Sequence, residues 1–183
     1  MDGKAELIET LVARMKAADD ALHSGDAGPR KALWSTKEPV TVFGAAMSAT
    51  GLAETQAIFD WVASRFTGFE SGGWEILSAD VSGDLAYVVA IEHTTGSIGG
   101  GPTESFSLRA TTILRREDGQ WRAFHRHADP VEGSEPVRDR LLGGAVESTF
   151  AAPPGKTPAG GSDQARLLYL TGRRSGSSPQ LVP

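Results

Sequence analysis

The sequence has no cysteine. That excludes a disulfide framework, a thiolate nucleophile and any zinc or iron–sulfur centre held by sulfur. Positive charge is not in excess: 18 Lys and Arg against 23 Asp and Glu leave a formal charge of -5. A general nucleic-acid binder needs a basic surface to displace counterions from phosphates, so no nucleic-acid partner is expected. No apolar run reaches the roughly 20 residues that span a bilayer. The first twenty residues are charged and helical in period, without the apolar core of a leader. A soluble, cytoplasmic protein without a membrane partner is the expectation. The glycine-rich "SIGGGPTE" (97–104) lies between two strand-like runs rather than ahead of a helix, so it lacks the setting of a phosphate loop. No serine sits in a strand–turn–helix elbow.

What is present divides near residue 131. From Ala151 to Pro183 there are five glycines and five prolines, with four basic residues against Asp163 alone. Such a stretch cannot bury enough apolar surface to offset its ordering entropy. The expected division is a folded domain over 1–135 and a flexible Gly/Pro-rich extension over 136–183, in which "DQARLLYL" (163–170) is a possible docking segment. Ahead of it, Ile8, Leu11, Val12, Met15 and Leu22 recur at helical spacing, which predicts a helix over 4–22. A short helical turn through Leu33 follows, then a β-branched strand, "PVTVFG" (39–44). Thr50 is placed to cap a second helix whose apolar side is Ile58, Phe59, Val62 and Phe66. Three strand-like runs come after the "TGFESGG" break, and Asp118-Gly119 marks a hairpin between the last two strands. Helices first and an antiparallel meander afterwards make an α+β domain.

The hairpin sets an expected register in which Leu114 faces Ala123, Thr112 faces His125 and Ala110 faces His127. The reverse face then carries Arg109, Arg115, Arg122 and Arg126, with Ile113 and Phe124. Arginines are too costly to desolvate without partners, so that face is read as the wetter one or a subunit contact. Trp121, Ala123, His125 and His127 are accordingly expected inside. Placing Glu92 outside with Arg109 turns Tyr87, Val89, Ile91 and His93 inward. His93, His127 and Asp129 then gather at one end of the concave face, with His125 one step deeper.

"LWSTKEPVTVFG" (33–44), "IFDWVASRF" (58–66), "VSGDLAYVVAIE" (81–92) and "ILRREDGQWRAFHRHADP" (113–130) resemble the SnoaL-like branch of the nuclear transport factor 2-like superfamily, which includes ketosteroid-isomerase-like proteins. The resemblance covers residues 4–131. It implies a cone in which a curved antiparallel sheet wraps N-terminal helices, with an apolar pocket at the open end and usually a homodimer. It also implies a hydrophobic small-molecule partner and no cofactor. Enzymes of this type move a proton beside a carbonyl or hydroxyl, which makes an isomerase, cyclase or dehydratase the catalytic expectation. His127 is then the candidate base, Asp129 its orienter, and His93 or Tyr87 the oxyanion donor, with His125 a further proton carrier. Trp34, Thr41, Phe43, Phe59, Tyr87 and Thr112 are the candidate ligand contacts, joined by Trp61 and Phe66. Each has a plainer reading: a rim network for His127 and Asp129, a bond to Thr112 for His125, and core packing for the aromatics. Asp19, Asp20 and Asp60 read as exposed helix positions. Three histidines and an aspartate suit zinc or iron chemically, but relatives of this type are mostly metal-free and no metal is expected. The alternative to an enzyme is a binding or dimerisation module.

Overall fold

Helix α1 spans Asp2–His23; of the predicted stripe Leu11, Met15 and Leu22 are buried, joined by Ala18, while Ile8 and Val12 are half-buried. The computed structural model describes residues 2–143. Helix α2 (Gly28–Leu33) starts with proline in its first turn, where the missing N–H costs nothing. Strands β1 (Thr41–Phe43) and β2 (Ser48–Thr50) lead into helix α3 (Leu52–Arg65). Thr50 does not cap α3 as the sequence suggested. Gly51 occupies the cap with φ 92°, a conformation that favours glycine. The Glu38 carboxylate instead accepts from the first helical amide, Leu52 N, at 2.8 Å.

Long strands follow: β3 (Phe66–Ser82), β4 (Leu85–Ile98), β5 (Thr103–Glu117) and β6 (Gln120–Pro130), then helix α4 (Pro136–Leu142). The predicted break at "TGFESGG" lies inside β3, where register shifts between Phe66 and Gly68 and between Phe69 and Ser71 absorb it. The six strands form one curved, unclosed sheet in the order β2-β1-β6-β5-β4-β3. Within it β1 runs parallel to β6, while the remaining pairs are antiparallel. Helix α1 lies close on β3 at Gly72, where an added Cβ would stand 2.5 Å from Asp20 Oδ1. The packed body runs past the expected boundary at residue 135, because Val137 of α4 is fully buried. The segment 163–170 lies outside the described residues.

The β5–β6 hairpin turns at Asp118 and Gly119, with φ of 50° and 78°, as an Asp-Gly turn requires. Glu117 pairs with Gln120 and the expected register holds as far as Leu114 and Ala123. There it slips. Ile113 pairs with His125, so Phe124 is an extra residue without a partner, a β-bulge. Because side chains alternate with period 2, one inserted residue reverses every later position. Trp121 and Ala123 stay inside, but beyond the bulge Arg126 and Ala128 are buried and His125, His127 and Asp129 face outward. Strand β4 is likewise reversed from expectation: Ala86, Val88, Ala90, Glu92 and Thr94 are buried, and Tyr87 and His93 are exposed. Glu92 pairs with Leu108, and Ile91 faces Arg109.

Candidate functional site

The inner face carries a row of small residues. Ala90 faces Ala110, which faces Ala128. All three are buried. With nothing longer than a methyl on these positions, Arg126 can lie along the sheet and reach Glu92, two inward positions further on. It donates from Nη1 to Glu92 Oε1 at 2.6 Å and from Nη2 to Oε2 at 2.5 Å. This is a bidentate pair, the strongest geometry available to these side chains. Burial works against the Arg126 charge, but the nearby Glu92 carboxylate and its hydrogen bonds outweigh it. The guanidinium pKa is held above its usual value.

A second buried pair hangs from the helices above. Asp19 of α1 meets Arg30 of α2 at 2.7 Å, Oδ1 to Nη1, with both side chains almost wholly buried. This pair is half made. Among the described residues, Asp19 Oδ2 and Arg30 Nε have no hydrogen-bond partner. Burial therefore dominates at Arg30 and pulls its pKa down, with Asp19 countering only in part. His23, one turn beyond Asp19, is pushed down to about 4, first by burial and then by Arg30, so its imidazole is neutral at pH 7.

The two pairs and His23 share the lining of one cavity of about 90 Å³. A single water needs roughly 10–15 Å³ by that measure, so there is room for several waters or a small molecule. The remaining wall is mostly apolar: Val42 from β1, Ile58, Phe59 and Trp61 from α3, Phe106 and Leu108 from β5, and Leu141 from α4. The site thus combines an apolar chamber with a donor and an acceptor that nothing among the described residues satisfies.

Most of the residues singled out in the sequence lie elsewhere. Phe59, Trp61 and Phe66 do line the cavity. Trp34 is 1% exposed and packs on Phe59 at 5.1 Å between ring centroids, within the core. Thr112 is buried but faces Arg126 rather than His125. The other candidates occupy the outer sheet face. There Thr41 Oγ1 and His125 Nδ1 share a hydrogen bond of 2.7 Å, and Phe43 stands edge-on to His125 and His127. His127 and Asp129 approach to 3.4 Å, each 54% exposed. His93 bonds Ser107, and Tyr87 bonds Ser78. Burial, then His127, lowers the His125 pKa. Asp19, placed outside by the sequence reading, is 3% exposed. The bulge is the cause of the larger correction: it carries the histidine row out and brings Arg126 in.

The SnoaL-like domain family matches residues 11–131, most of the chain. The chain belongs to that family. No curated protein shows significant similarity to it. Among solved structures, a candidate dehydratase of the nuclear transport factor 2-like family from Streptomyces avermitilis is 22% identical. The alignment covers 69% of this chain and 97% of that one, with a TM-score of 0.57. A nuclear transport factor 2-like protein of unknown function from Pseudomonas putida is 23% identical over 70% of this chain and 86% of that one, with a TM-score of 0.53. At these identities the likeness shows the fold alone. Among the described residues no group of three His, Asp or Glu side chains is placed to hold a metal, and no helix is long and apolar enough to cross a membrane.

Two outcomes follow from the buried charges. Glu92→Gln leaves Arg126 buried without a counter-charge and should cost about 3–5 kcal/mol in urea unfolding. The double variant Glu92→Leu/Arg126→Met should recover most of that loss; equal losses in both would remove the charge argument. His23 takes up a proton below about pH 6.5 when unfolded but only below about 4 when folded. The unfolded chain therefore binds more protons between those values, and stability should fall by roughly 2–3 kcal/mol as pH drops from 6.5 to 4. In His23→Gln that part of the pH profile should flatten.

Proposed function

We propose that this SnoaL-like domain binds a small, largely apolar molecule whose head group both donates and accepts a hydrogen bond. The observation that carries this is the half-made Asp19–Arg30 pair on the cavity lining. Buried polar atoms without partners are rare and costly in native proteins. A hydroxyl supplies both missing bonds, its proton to Asp19 Oδ2 and its oxygen to Arg30 Nε–H. A carbonyl oxygen supplies the second.

The same two atoms support a catalytic reading. A ketone held by Arg30 Nε–H has its carbonyl polarised, and the Asp19 carboxylate, paired with the same guanidinium, is the base assigned to its α-proton. Transfer of that proton to Asp19 Oδ2 leaves an enolate on the Arg30 side; where the ketone is β,γ-unsaturated this is a dienolate, and return of the proton to its γ-carbon completes an isomerisation to the conjugated ketone. This moves the acid–base role from His127 and Asp129 to Asp19 in the chamber, where burial strengthens electrostatic contacts. Cyclohexanone is a suitable probe. Titration calorimetry should detect it binding the wild-type chain. If the site is catalytic, solvent deuterium should enter its α-position, with a 10²–10⁴-fold slower rate in Asp19→Asn. Binding without exchange leaves a ligand carrier, and absence of binding by both cyclohexanone and cyclohexanol removes the proposal.

The outer sheet face supports a second copy of the chain as partner. Phe43 and Tyr87 are exposed there, and the half-buried Val89, Ile91 and Ile113 lie between them. Apolar area of this kind on a sheet face favours association. Light scattering at micromolar concentration should give twice the chain mass, and Ile113→Glu should return it to the monomer value. A monomer mass for the wild type would sink this assignment.

A further inference from the structure

Helix α4 lies beyond the stretch that matches the family, which ends at residue 131. Yet α4 is part of the cavity wall. Leu141 lines the chamber, and with Val137 it joins Phe66, Ile98 and Phe106 in a second apolar cluster, separate from the main core. Phe66 opens β3 and pairs with Ile98 at the end of β4, while Phe106 lies near the start of β5. These residues surround the end of the sheet opposite the β3–β4 and β5–β6 turns. Helix α4 therefore stops the open end of the cone.

A seven-residue helix with no side-chain cap does not hold itself. Contacts with the domain hold it. Arg65 Nε donates to the Leu141 carbonyl at 3.1 Å, and Arg140 pairs with Glu104 at 2.5 Å while lying over the Phe106 ring. In the segment leading to it, Ser134 Oγ accepts from Ser107 N at 2.9 Å. The Arg65 bond falls on Leu141 itself, which fixes its backbone and so the depth to which its side chain enters the chamber. The polar anchor, Asp19 and Arg30, comes from α1 and α2 instead.

We infer that Leu141 is a specificity-determining residue. It sets how long an apolar body the chamber accepts behind a head group held at Asp19 and Arg30. The inference rests on the binding proposal above and adds a length limit imposed by an element outside the family's matched stretch.

The test uses the full chain and the straight-chain primary alcohols from butanol to dodecanol, with binding read by titration calorimetry and by the change in tryptophan fluorescence, to which Trp61 on the chamber lining contributes. In the wild type the affinity should rise with chain length and then break off. Leu141→Ala should move that break two to three carbons longer, with the first alcohol excluded by the wild type binding at least tenfold more tightly. Leu141→Phe should move the break to shorter alcohols. Thermal unfolding establishes that each variant is folded, and the opposite-direction pair keeps the test available if one is not. A break at the same length in a folded variant overturns the role of Leu141 and leaves the binding proposal standing. Failure of every alcohol to bind the wild type overturns both.

Discussion

The bidentate pair between Arg126 and Glu92 is the interaction on which the inner face depends. Neither partner reaches the other unless three separate conditions hold. The bulge at Phe124 must turn Arg126 inward. The alternation of β4 must bury Glu92 with Val88 and Ala90. The row Ala90, Ala110 and Ala128 must leave the inner surface low enough for a guanidinium to cross it. A buried ion pair is weak evidence for net stability, because desolvating two charges cancels much of their attraction. It is stronger evidence for specificity of register. Removing the bulge would bury His125 and His127 and expose Arg126, leaving Glu92 alone in a low-dielectric interior. The pair therefore penalises the plain hairpin register that the sequence otherwise favours.

This also explains where reasoning from sequence succeeded and failed. The stripe of α1, the Asp-Gly turn and the order of elements are local signals, and local physics fixes them. The bulge has no local signature in "WRAFHRHAD", since Phe124 is an ordinary strand residue. Its justification is Glu92, which lies on another strand of the sheet. The desolvation argument that sent the arginines outward was sound for Arg109, which is exposed. It failed for Arg126 because the partner had itself been assigned outside. Asp19 is a different case. It lies four residues after Met15 and three before Leu22, on the buried stripe, yet its charge led it to be read as an exposed helix position. A carboxylate on an apolar stripe was a signal of the chamber that the sequence displayed, beside the aromatics Phe59, Trp61 and Phe66 that do line it.

The two ion pairs differ in completeness, and the binding proposal rests on that difference. Glu92 and Arg126 satisfy each other through two parallel bonds and raise the Arg126 pKa despite burial. Asp19 and Arg30 make one contact, and burial prevails at Arg30. A site evolved only for stability gains nothing from stopping halfway, because a half-satisfied buried network is worse than an apolar core. Asp19 and Arg30 share the lining of this apolar chamber with His23. Keeping His23 neutral limits the positive charge beside Arg30 and Arg126, so the chamber is not driven to bind a simple anion to relieve it.

The division into two apolar clusters completes the arrangement. The main core, running from Leu11 of α1 to Ala123 of β6, carries the hairpin end of the cone and contains Trp34 and Leu114, both almost fully enclosed. The smaller cluster around Val137 and Phe106 carries the open end. Elements that must yield for a ligand to enter are drawn from the less stable part of a fold. Here the larger cluster positions the ion pairs, and the smaller one, built from the ends of strands and a short helix, bounds the space in front of them. On the binding proposal, polar recognition and the length of the chamber fall to different parts of the chain. Selection can alter α4 and change what fits without disturbing Arg126 or Glu92.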